Sequence, residues 1–198
     1  MRRFRKTLAA WDKAMSYENI PLPEELGRRL RQGFLLRTTP RTLGELAKAD
    51  FEPGAECSSA YLISERPTRH EVRFGDELLY THCVVDTFVL PSLREKAADI
   101  SSVDPVTSEE IRFRLTPHGL DGSSEMLSQA VVSIGACESS AGSGHTTCCP
   151  FINLFTAHRQ YEQWLEEHPE VVAVGLPLKD AVVFAQDWLT IRLAKTCC

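Results

Sequence analysis

A thiol and a carboxyl group lie three positions apart in an apolar segment of this chain. The segment runs from Leu79 to Leu90 and contains Cys83 and Asp86. On a helix, side chains three positions apart are neighbours, so both groups could face one pocket. A thiolate binds soft metal ions, and a carboxyl group among apolar neighbours resists ionisation and can donate a proton near neutral pH. The pair therefore indicates soft-metal binding coupled to proton transfer.

The spacing of this pair fits a structural role as well. If Cys83 lies in the first turn of a helix, the amide dipoles there favour the thiolate. A buried structural cysteine followed by an aspartate on the helix surface would give the same pattern. The pair alone leaves both interpretations open.

A vicinal pair of thiols, Cys148 and Cys149, follows in a second apolar segment. Pro150 comes next and restricts Cys149 to an extended conformation. Thiolates select soft ions such as Hg(II), Cu(I) or Zn(II), so both cysteines are candidate metal ligands. Free cysteine also packs as a small apolar residue, so one of the two could belong to the core.

The cysteine content indicates free thiols. The chain has seven cysteines, an odd number that includes two adjacent pairs, which is a poor basis for a disulfide framework. Free thiols are typical of a reducing compartment, and we expect a cytoplasmic protein. Their spacing does not match a zinc finger, which argues against structural zinc.

The length, charge and composition of the chain argue against several classes of protein. With 198 residues and a net charge of −5, the chain is long enough for a domain with a small appendage and too acidic for a general nucleic-acid binder. It contains no apolar run of the roughly 18 residues that a membrane span needs. We expect neither a nucleic-acid partner nor a membrane. Nucleotide-binding glycine motifs are missing from the sequence.

The first 55 residues predict a small helical domain. Apolar residues recur at helical spacing over 2–16, a second helix begins at Pro23, and a third covers 42–47, where Thr42 and Glu45 have the spacing of a capping box. Three short helices resemble a winged helix. The chain turns at 51–54 instead of forming a basic recognition helix, so the resemblance is degenerate.

Residues 56–198 predict the α+β core. A period of two in the apolar residues indicates strands. Other patterns indicate a turn at Gly75-Asp76, a helix around Cys83 that ends near Pro91, and a flexible loop at 139–144. Strands and helices do not alternate regularly, which favours a mixed, mostly antiparallel sheet with flanking helices. The predicted strands are 60–63, 70–74, 98–102, 111–115, 130–134 and 171–176, with a turn into a strand at 148–155. The predicted later helices are 161–168 and 178–193.

The segment 76–93 resembles the catalytic segment of the organomercurial (alkylmercury) lyase family. That family has an acidic turn, Leu-Tyr, Cys-x-x-Asp-Thr and Pro-x-Leu, and this chain has all of these in the same order. Residues 98–107 resemble the next strand of the family. The Cys-Cys segment with 151–155, Gln163-Trp164 and the final helix resemble its carboxy-terminal half. The likeness covers roughly residues 40–195.

The resemblance implies roles for individual residues. Cys83 matches the first catalytic cysteine, Asp86 the catalytic aspartate and Cys148 the second catalytic cysteine, while Cys149 remains a candidate ligand. The implied reaction joins an alkyl–mercury cation to two sulfurs, and Asp86 protonates the departing carbon. The products are a hydrocarbon and Hg(II) held by the protein. No separate cofactor is implied, because the metal arrives with the substrate.

This sequence also departs from the family pattern, and the resemblance implies acceptors for the product Hg(II). Asp104 stands where some relatives have a structural cysteine. Cys197 and Cys198 resemble the metal-collecting tail of mercuric reductases, so they are candidates for Hg(II) transfer. Cellular thiols or a mercuric reductase are the implied acceptors. Phe88, Phe151 and Phe155 could line a pocket for the organic group or belong to the ordinary core.

Two other functions fit part of the pattern. A non-catalytic protein that binds or senses a soft metal would explain the cysteines but would give Asp86 no task. A thiol hydrolase would need His82 or His145 beside Cys83. Adjacent positions diverge on a helix, and the sequence shows no third orienting group. Both histidines remain candidates for tuning the pocket.

Overall fold

The computed structural model describes residues 16–52, 62–122, 124–138 and 144–196. These form helices packed against two antiparallel sheets, which confirms the α+β prediction. The strands are β1 (Ile63–Ser64), β2 (His70–Phe74), β3 (Glu77–Thr81), β4 (Ala98–Val103), β5 (Glu110–Thr116), β6 (Gly119–Asp121), β7 (Val131–Cys137), β8 (Leu154–Phe155) and β9 (Val171–Pro177). The helices are α1 (Glu24–Phe34), α2 (Leu43–Lys48), α3 (Val84–Leu93), α4 (Glu125–Gln129), α5 (Gly144–Thr147), α6 (His158–Glu167) and α7 (Leu178–Thr196).

The N-terminal helices pack directly on the core. α1 buries Leu26 and Leu30, which lie one turn apart on the same face. Thr42 caps α2 by accepting the Glu45 N–H at 3.1 Å, as predicted, whereas the Glu45 carboxylate accepts the N–H of Arg41. The predicted helix 2–16 lies outside the described residues except for Ser16. That residues 1–55 form a separate domain stays a prediction.

The larger sheet has the order β1-β3-β2-β4-β5-β6. Alternate residues of β2, β4 and β5 are buried, so one face of the sheet packs on the core and the other faces outward. α3 covers the buried face, where the rings of Phe88 and Phe113 lie 6.1 Å apart. The sheet therefore supports the helix that follows Cys83.

The smaller sheet has the order β8-β7-β9 and carries the second cysteine segment. Val131 to Ala136 of β7 are all buried, because α1, α6 and α7 all pack against the strand. A 3-10 turn, Cys149–Phe151, leads into β8. β7 thus lies in the middle of the core, beside the chain that carries Cys148 and Cys149.

The segment around Cys83 differs from the prediction. Residues 77–81 form β3, which the sequence analysis missed, and α3 begins only at Val84. The signal was the two-residue loop Gly75-Asp76, in which Gly75 has a φ of 66°. Such a loop returns the chain as an antiparallel strand. α3 also extends through Pro91 to Leu93, although proline cannot donate the hydrogen bond that position 91 of a helix makes to the carbonyl of residue 87.

Other predicted elements shift by a few residues. The strand expected at 130–134 extends to Cys137, and the helix expected at 161–168 begins at His158. α4, α5 and β6 were not predicted. None of the helices in the described parts of the chain is long and apolar enough to cross a membrane.

Arg29 connects α1 to the smaller sheet. Its side chain is 11% exposed, and its guanidinium group donates to the carbonyls of Ala136 at 3.1 Å and Glu170 at 2.7 Å. It also donates to the Glu25 carboxylate at 2.8 Å. Two carbonyl groups at the ends of adjacent strands therefore depend on one side chain.

We predict that Arg29→Met lowers the free energy of unfolding by about 1–3 kcal/mol, because buried hydrogen bonds to a charged group are lost while the aliphatic stem remains. Urea denaturation measures the change. Arg28→Met is the matched control, since Arg28 contacts Glu25 from an exposed position. Equal effects of the two substitutions would contradict the role given to Arg29.

Candidate functional site

Cys83 is the N-cap residue of α3. Its backbone is extended, with a φ of −145° and a ψ of 169°, and its N–H donates to the Asp86 carboxylate at 3.0 Å. The Cys83 side chain faces the N–H of Asp86 in return, which completes a capping box. The spacing of three thus arises from the helix start rather than from a shared helix face.

Two hydrogen bonds fix the position of Cys83. The Thr81 hydroxyl donates to the Cys83 carbonyl at 2.9 Å, which links the end of β3 to the start of α3. The N–H of Val84 donates to the Ile152 carbonyl at 3.3 Å. This second bond joins the Cys83 segment to the chain that follows Cys149.

The 3-10 turn Cys149–Phe151 holds the second cysteine segment. The N–H of Phe151 donates to the Cys148 carbonyl at 2.9 Å, and the N–H of Ile152 donates to the Cys149 carbonyl at 3.2 Å. The side-chain amide of Asn153 donates to the Pro150 carbonyl at 2.9 Å. Proline suits this turn for two reasons. Its fixed φ matches that of a helical turn, and its missing N–H would have no partner at the first position of such a turn.

The fold brings Cys83, Asp86 and Cys149 together. Their sulfur atoms and a carboxylate oxygen all lie within 4.8 Å of one another. Cys83 is 2% exposed and Cys149 is 7% exposed, while Asp86 is half-buried. Two soft donors and one acid group therefore converge in an enclosed site, which suits a soft cation of low coordination number.

Cys148 lies outside this cluster, although the sequence analysis assigned it as the second thiol. Its side chain is fully buried, and its sulfur lies 3.6 Å from the Thr147 hydroxyl. Adjacent side chains in a turn point in different directions. In this structure Cys149, which the sequence analysis gave as a candidate ligand, faces Cys83.

Burial raises the pKa of two thiols in this region, Cys83 and Cys148. Loss of solvent raises the pKa of Cys83 well above its usual value, and the hydrogen bond with Cys149 and the negative charge of Asp86 raise it further. The N–H of Asp86 lowers the pKa of Cys83, as expected for a helix start, but this effect is smaller than those that raise it. Burial also raises the pKa of Cys148 to about 12. A metal ion that binds the sulfur of Cys83 would therefore have to displace its proton.

The remaining candidate residues lie apart from the cluster or outside the described part of the chain. His82 is half-buried beside Cys83 and does not belong to the three-residue cluster. His145 is part of α5, but its side chain is not described. Cys197 and Cys198 lie outside the described residues. No histidine is placed among the candidate ligands in the described parts of the chain.

The three phenylalanines make core contacts. Phe88 packs on Phe113, and Phe155 packs on Trp164 with ring centroids 5.5 Å apart. Phe151 lies 6.5 Å from the same tryptophan. These contacts support their role as ordinary core residues.

Asp104 is a structural carboxylate. It is fully buried and accepts hydrogen bonds from the N–H groups of Val106, Thr107 and Thr156 and from the Thr156 hydroxyl. The contact joins the end of β4 to the chain that follows β8. Sequence reasoning noted the position but not this role, which only the fold reveals.

Comparisons with known proteins identify a family. Residues 63–190, well over half of the chain, match a family model described as MerB: Alkylmercury lyase. An alkylmercury lyase from Streptomyces lividans is 32% identical over 119 residues, which cover 60% of this chain and 53% of that protein. One from Bacillus cereus is 32% identical over 103 residues, which cover 52% and 46%. The chain thus spans about half the length of these curated relatives.

A solved structure shares the fold. The crystal structure of the mercury-bound form of MerB2 superimposes with a TM-score of 0.52 at 18% identity. The superposition covers 86% of this chain and 92% of that one. The shared architecture extends beyond the part of the chain that the sequence matches cover.

We predict that stability falls as the pH rises above the ordinary thiol pKa of 9.0. The unfolded chain releases its thiol protons near that pH, whereas buried Cys148 keeps its proton until about pH 12. Over this window one such thiol lowers the free energy of unfolding by up to about 1.4 kcal/mol per pH unit.

Urea denaturation of the wild type and of Cys148→Ala at a series of pH values measures this effect. The decline above the ordinary thiol pKa should be shallower in the variant, because one buried thiol is missing. Below that pH the two curves should run parallel, which serves as the internal control. Parallel curves throughout would show that Cys148 does not stay protonated by burial.

Proposed function

This chain belongs to the alkylmercury lyase family, and from that premise we propose that it cleaves the carbon–mercury bond of organomercurials by protonolysis. The products are a hydrocarbon and Hg(II). The observation that carries the proposal is the meeting of two buried sulfurs and one carboxyl oxygen within 4.8 Å. A soft cation finds two ligands there, and the carbon bound to it finds a proton donor.

The first step is capture of the organomercurial by one thiol. Mercury forms a bond to the sulfur of Cys83, and the thiol proton leaves. The Asp86 carboxylate is the base in reach, because the N–H of Cys83 already holds it beside that residue at 3.0 Å. The carboxyl group is then protonated and neutral, which suits its half-buried position.

The second step is cleavage. The sulfur of Cys149 adds to the metal, and the extra electron density from this donor weakens the carbon–mercury bond. The protonated Asp86 delivers its proton to the departing carbon, so the bonding electrons of the carbon–mercury bond form the new carbon–hydrogen bond. Hg(II) remains between Cys83 and Cys149, and the thiol proton of Cys149 passes to Asp86.

Burial supports this chemistry. Because Cys83 and Cys149 are almost fully enclosed, few water molecules compete for the proton or the metal. The metal belongs to the substrate and leaves as product, so the proposed reaction requires no resident cofactor. Asp86 and the two sulfurs supply all the groups that the steps above need.

The proposal also covers partners and location. The substrate is an organomercurial, and the acceptors of Hg(II) are cellular thiols or a mercuric reductase in the cytoplasm. Cys197 and Cys198 are proposed as a tail that passes the ion on. A protein that only binds the metal would yield no hydrocarbon, so release of methane from methylmercury over many turnovers tests the function.

We predict that Asp86→Asn lowers the rate of methane release by about 10²–10⁴-fold, the usual contribution of a positioned general acid. Asparagine keeps an oxygen for the Cys83 N–H and is neutral, so the helix start should persist. Methane is measured by gas chromatography, and binding of Hg(II) is measured in parallel.

Asp99→Asn is the matched control, because Asp99 lies on the exposed face of β4 and pairs with Arg114. Its rate should equal that of the wild type. Wild-type turnover by folded Asp86→Asn would refute the assignment of the proton donor.

We predict that Cys83→Ala and Cys149→Ala nearly abolish methane release, because either substitution leaves mercury with one sulfur. Cys148→Ala should retain most of the activity, since its sulfur lies outside the cluster. The three variants are compared by methane release after their circular dichroism spectra are shown to match. Loss of activity in Cys148→Ala with retention in Cys149→Ala would restore the role that the family resemblance gives to Cys148.

A further inference from the structure

Three threonine hydroxyl groups hold the backbone on both sides of Cys83. Thr68 donates to the Thr81 carbonyl at 2.8 Å, and Thr81 donates to the Cys83 carbonyl at 2.9 Å. On the helix side, Thr87 donates to the Val84 carbonyl at 2.6 Å. Thr81 and Thr87 are fully buried, and Thr68 is half-buried. The steps of the proposed reaction use none of these hydroxyl groups.

The direction of the first two bonds follows from the single proton of a hydroxyl group. The Thr68 oxygen accepts the N–H of His70 at 3.1 Å, and its proton has the carbonyls of Thr81 at 2.8 Å and of His70 at 3.2 Å in reach. The shorter contact is the one to Thr81. The Thr81 hydroxyl is buried, where an unmade hydrogen bond is costly, so its proton stays on the Cys83 carbonyl. Two hydrogen bonds in series therefore connect the chain before β2 to Cys83.

These bonds bear on the direction of the Cys83 side chain. The N–H of Cys83 donates to the Asp86 carboxylate at 3.0 Å, and its carbonyl accepts the Thr81 hydroxyl. Because the backbone of this residue is held on both sides, its φ of −145° and its ψ of 169° are held as well. The Cβ atom is attached rigidly to this backbone, so the Cα–Cβ bond has one direction. The sulfur then faces Cys149.

We propose that Thr81 is a positioning residue, whose hydroxyl group holds Cys83 so that the sulfurs of Cys83 and Cys149 bind one mercury ion together. Thr68 supports this role by holding the carbonyl of Thr81. The proposal rests on the proposed function for its effect on cleavage, but not for its effect on binding of Hg(II). Thr81 takes part in none of the bonds that form or break in the reaction.

Thr81→Val removes the hydroxyl group and keeps a side chain of nearly the same shape. The Cys83 carbonyl loses a donor, so its ψ is free to change, and a change in ψ turns the sulfur away from Cys149. A misplacement of about 1 Å can cost about 10²-fold in rate. We expect single-turnover release of methane from methylmercury to fall by about tenfold or more. Thr81→Ser keeps the hydroxyl group and should restore most of the rate.

Thr116→Val is the matched control. Thr116 is the last residue of β5, as Thr81 is the last residue of β3, and its hydroxyl group donates to the Gly119 carbonyl at 3.1 Å. In the larger sheet, β2 and β4 separate β5 from β3. The substitution therefore removes a comparable hydrogen bond away from the cluster. Its methane release should equal that of the wild type.

Retention of Hg(II) gives a second measurement that does not depend on cleavage. A Cys197→Ser/Cys198→Ser background removes the thiols of the tail, and one equivalent of mercuric chloride is loaded. The protein is then equilibrated with increasing glutathione, and the retained mercury is measured by mass spectrometry after gel filtration. Thr81→Val should lose the ion at a severalfold lower glutathione concentration than the background protein. Thr81→Ser and Thr116→Val should match the background.

The outcomes separate the positioning role from the function. Background values of methane release and Hg(II) retention in folded Thr81→Val would overturn the proposal. Equal losses in Thr81→Val and Thr116→Val would overturn it as well, because they would indicate a general loss of stability. If the background protein releases no methane while Thr81→Val loses Hg(II) and Thr81→Ser retains it, the lyase assignment fails and the positioning role stands.

A second variant covers the case in which Thr81→Val does not fold. Thr68→Val removes the other hydroxyl group of the series at a half-buried position, where valine should leave the fold intact. It should lower methane release and Hg(II) retention in the same direction, by a smaller factor, because it acts through Thr81. Background values for this variant would then overturn the proposal.

Discussion

A cysteine at the N-cap of α3 is the constraint on which the site depends. Serine, threonine, aspartate and asparagine cap helices best, and a thiol is a weak hydrogen-bond acceptor. Compared with a good N-cap residue, cysteine at this position lowers the stability of the helix by on the order of 1 kcal/mol. In return, backbone geometry sets the distance between a sulfur and a carboxyl group. The hydrogen bond from the Cys83 N–H holds the Asp86 carboxylate beside the thiol.

The second constraint is that the two cysteine segments share backbone contacts. The Val84 N–H bonds to the Ile152 carbonyl, and Asp104 ties the chain beyond β8 to the end of β4. The two sulfurs come from distant parts of the sequence, yet each lies within a few residues of such a contact. The site is assembled by the packing of the two sheets, so stability of the core and geometry of the site are linked.

Much of this was predictable from the sequence. The spacing of Cys83 and Asp86 pointed to a shared site, because helix faces and capping boxes both use an interval of three. β3 was missed because only Thr81 and His82 interrupt the apolar residues between Leu78 and Val85, and neither is a residue that ends strands or helices. The choice between Cys148 and Cys149 could not be made from the sequence. Neighbouring residues point in different directions, and only the course of the 3-10 turn decides which of them faces Cys83.

The smallest residue of β7 has a consequence for the tolerance of the fold to substitution. A methyl group at Gly135 would press on the Phe151 backbone and push the 3-10 turn outward, and Cys149 would move with it. Bonds from sulfur to a heavy ion have a nearly fixed length, so a displacement of Cys149 would change the distance on which the proposed two-sulfur coordination depends. A position without any reactive group thus controls whether two-sulfur coordination is geometrically attainable, and inspection of reactive residues alone would overlook it.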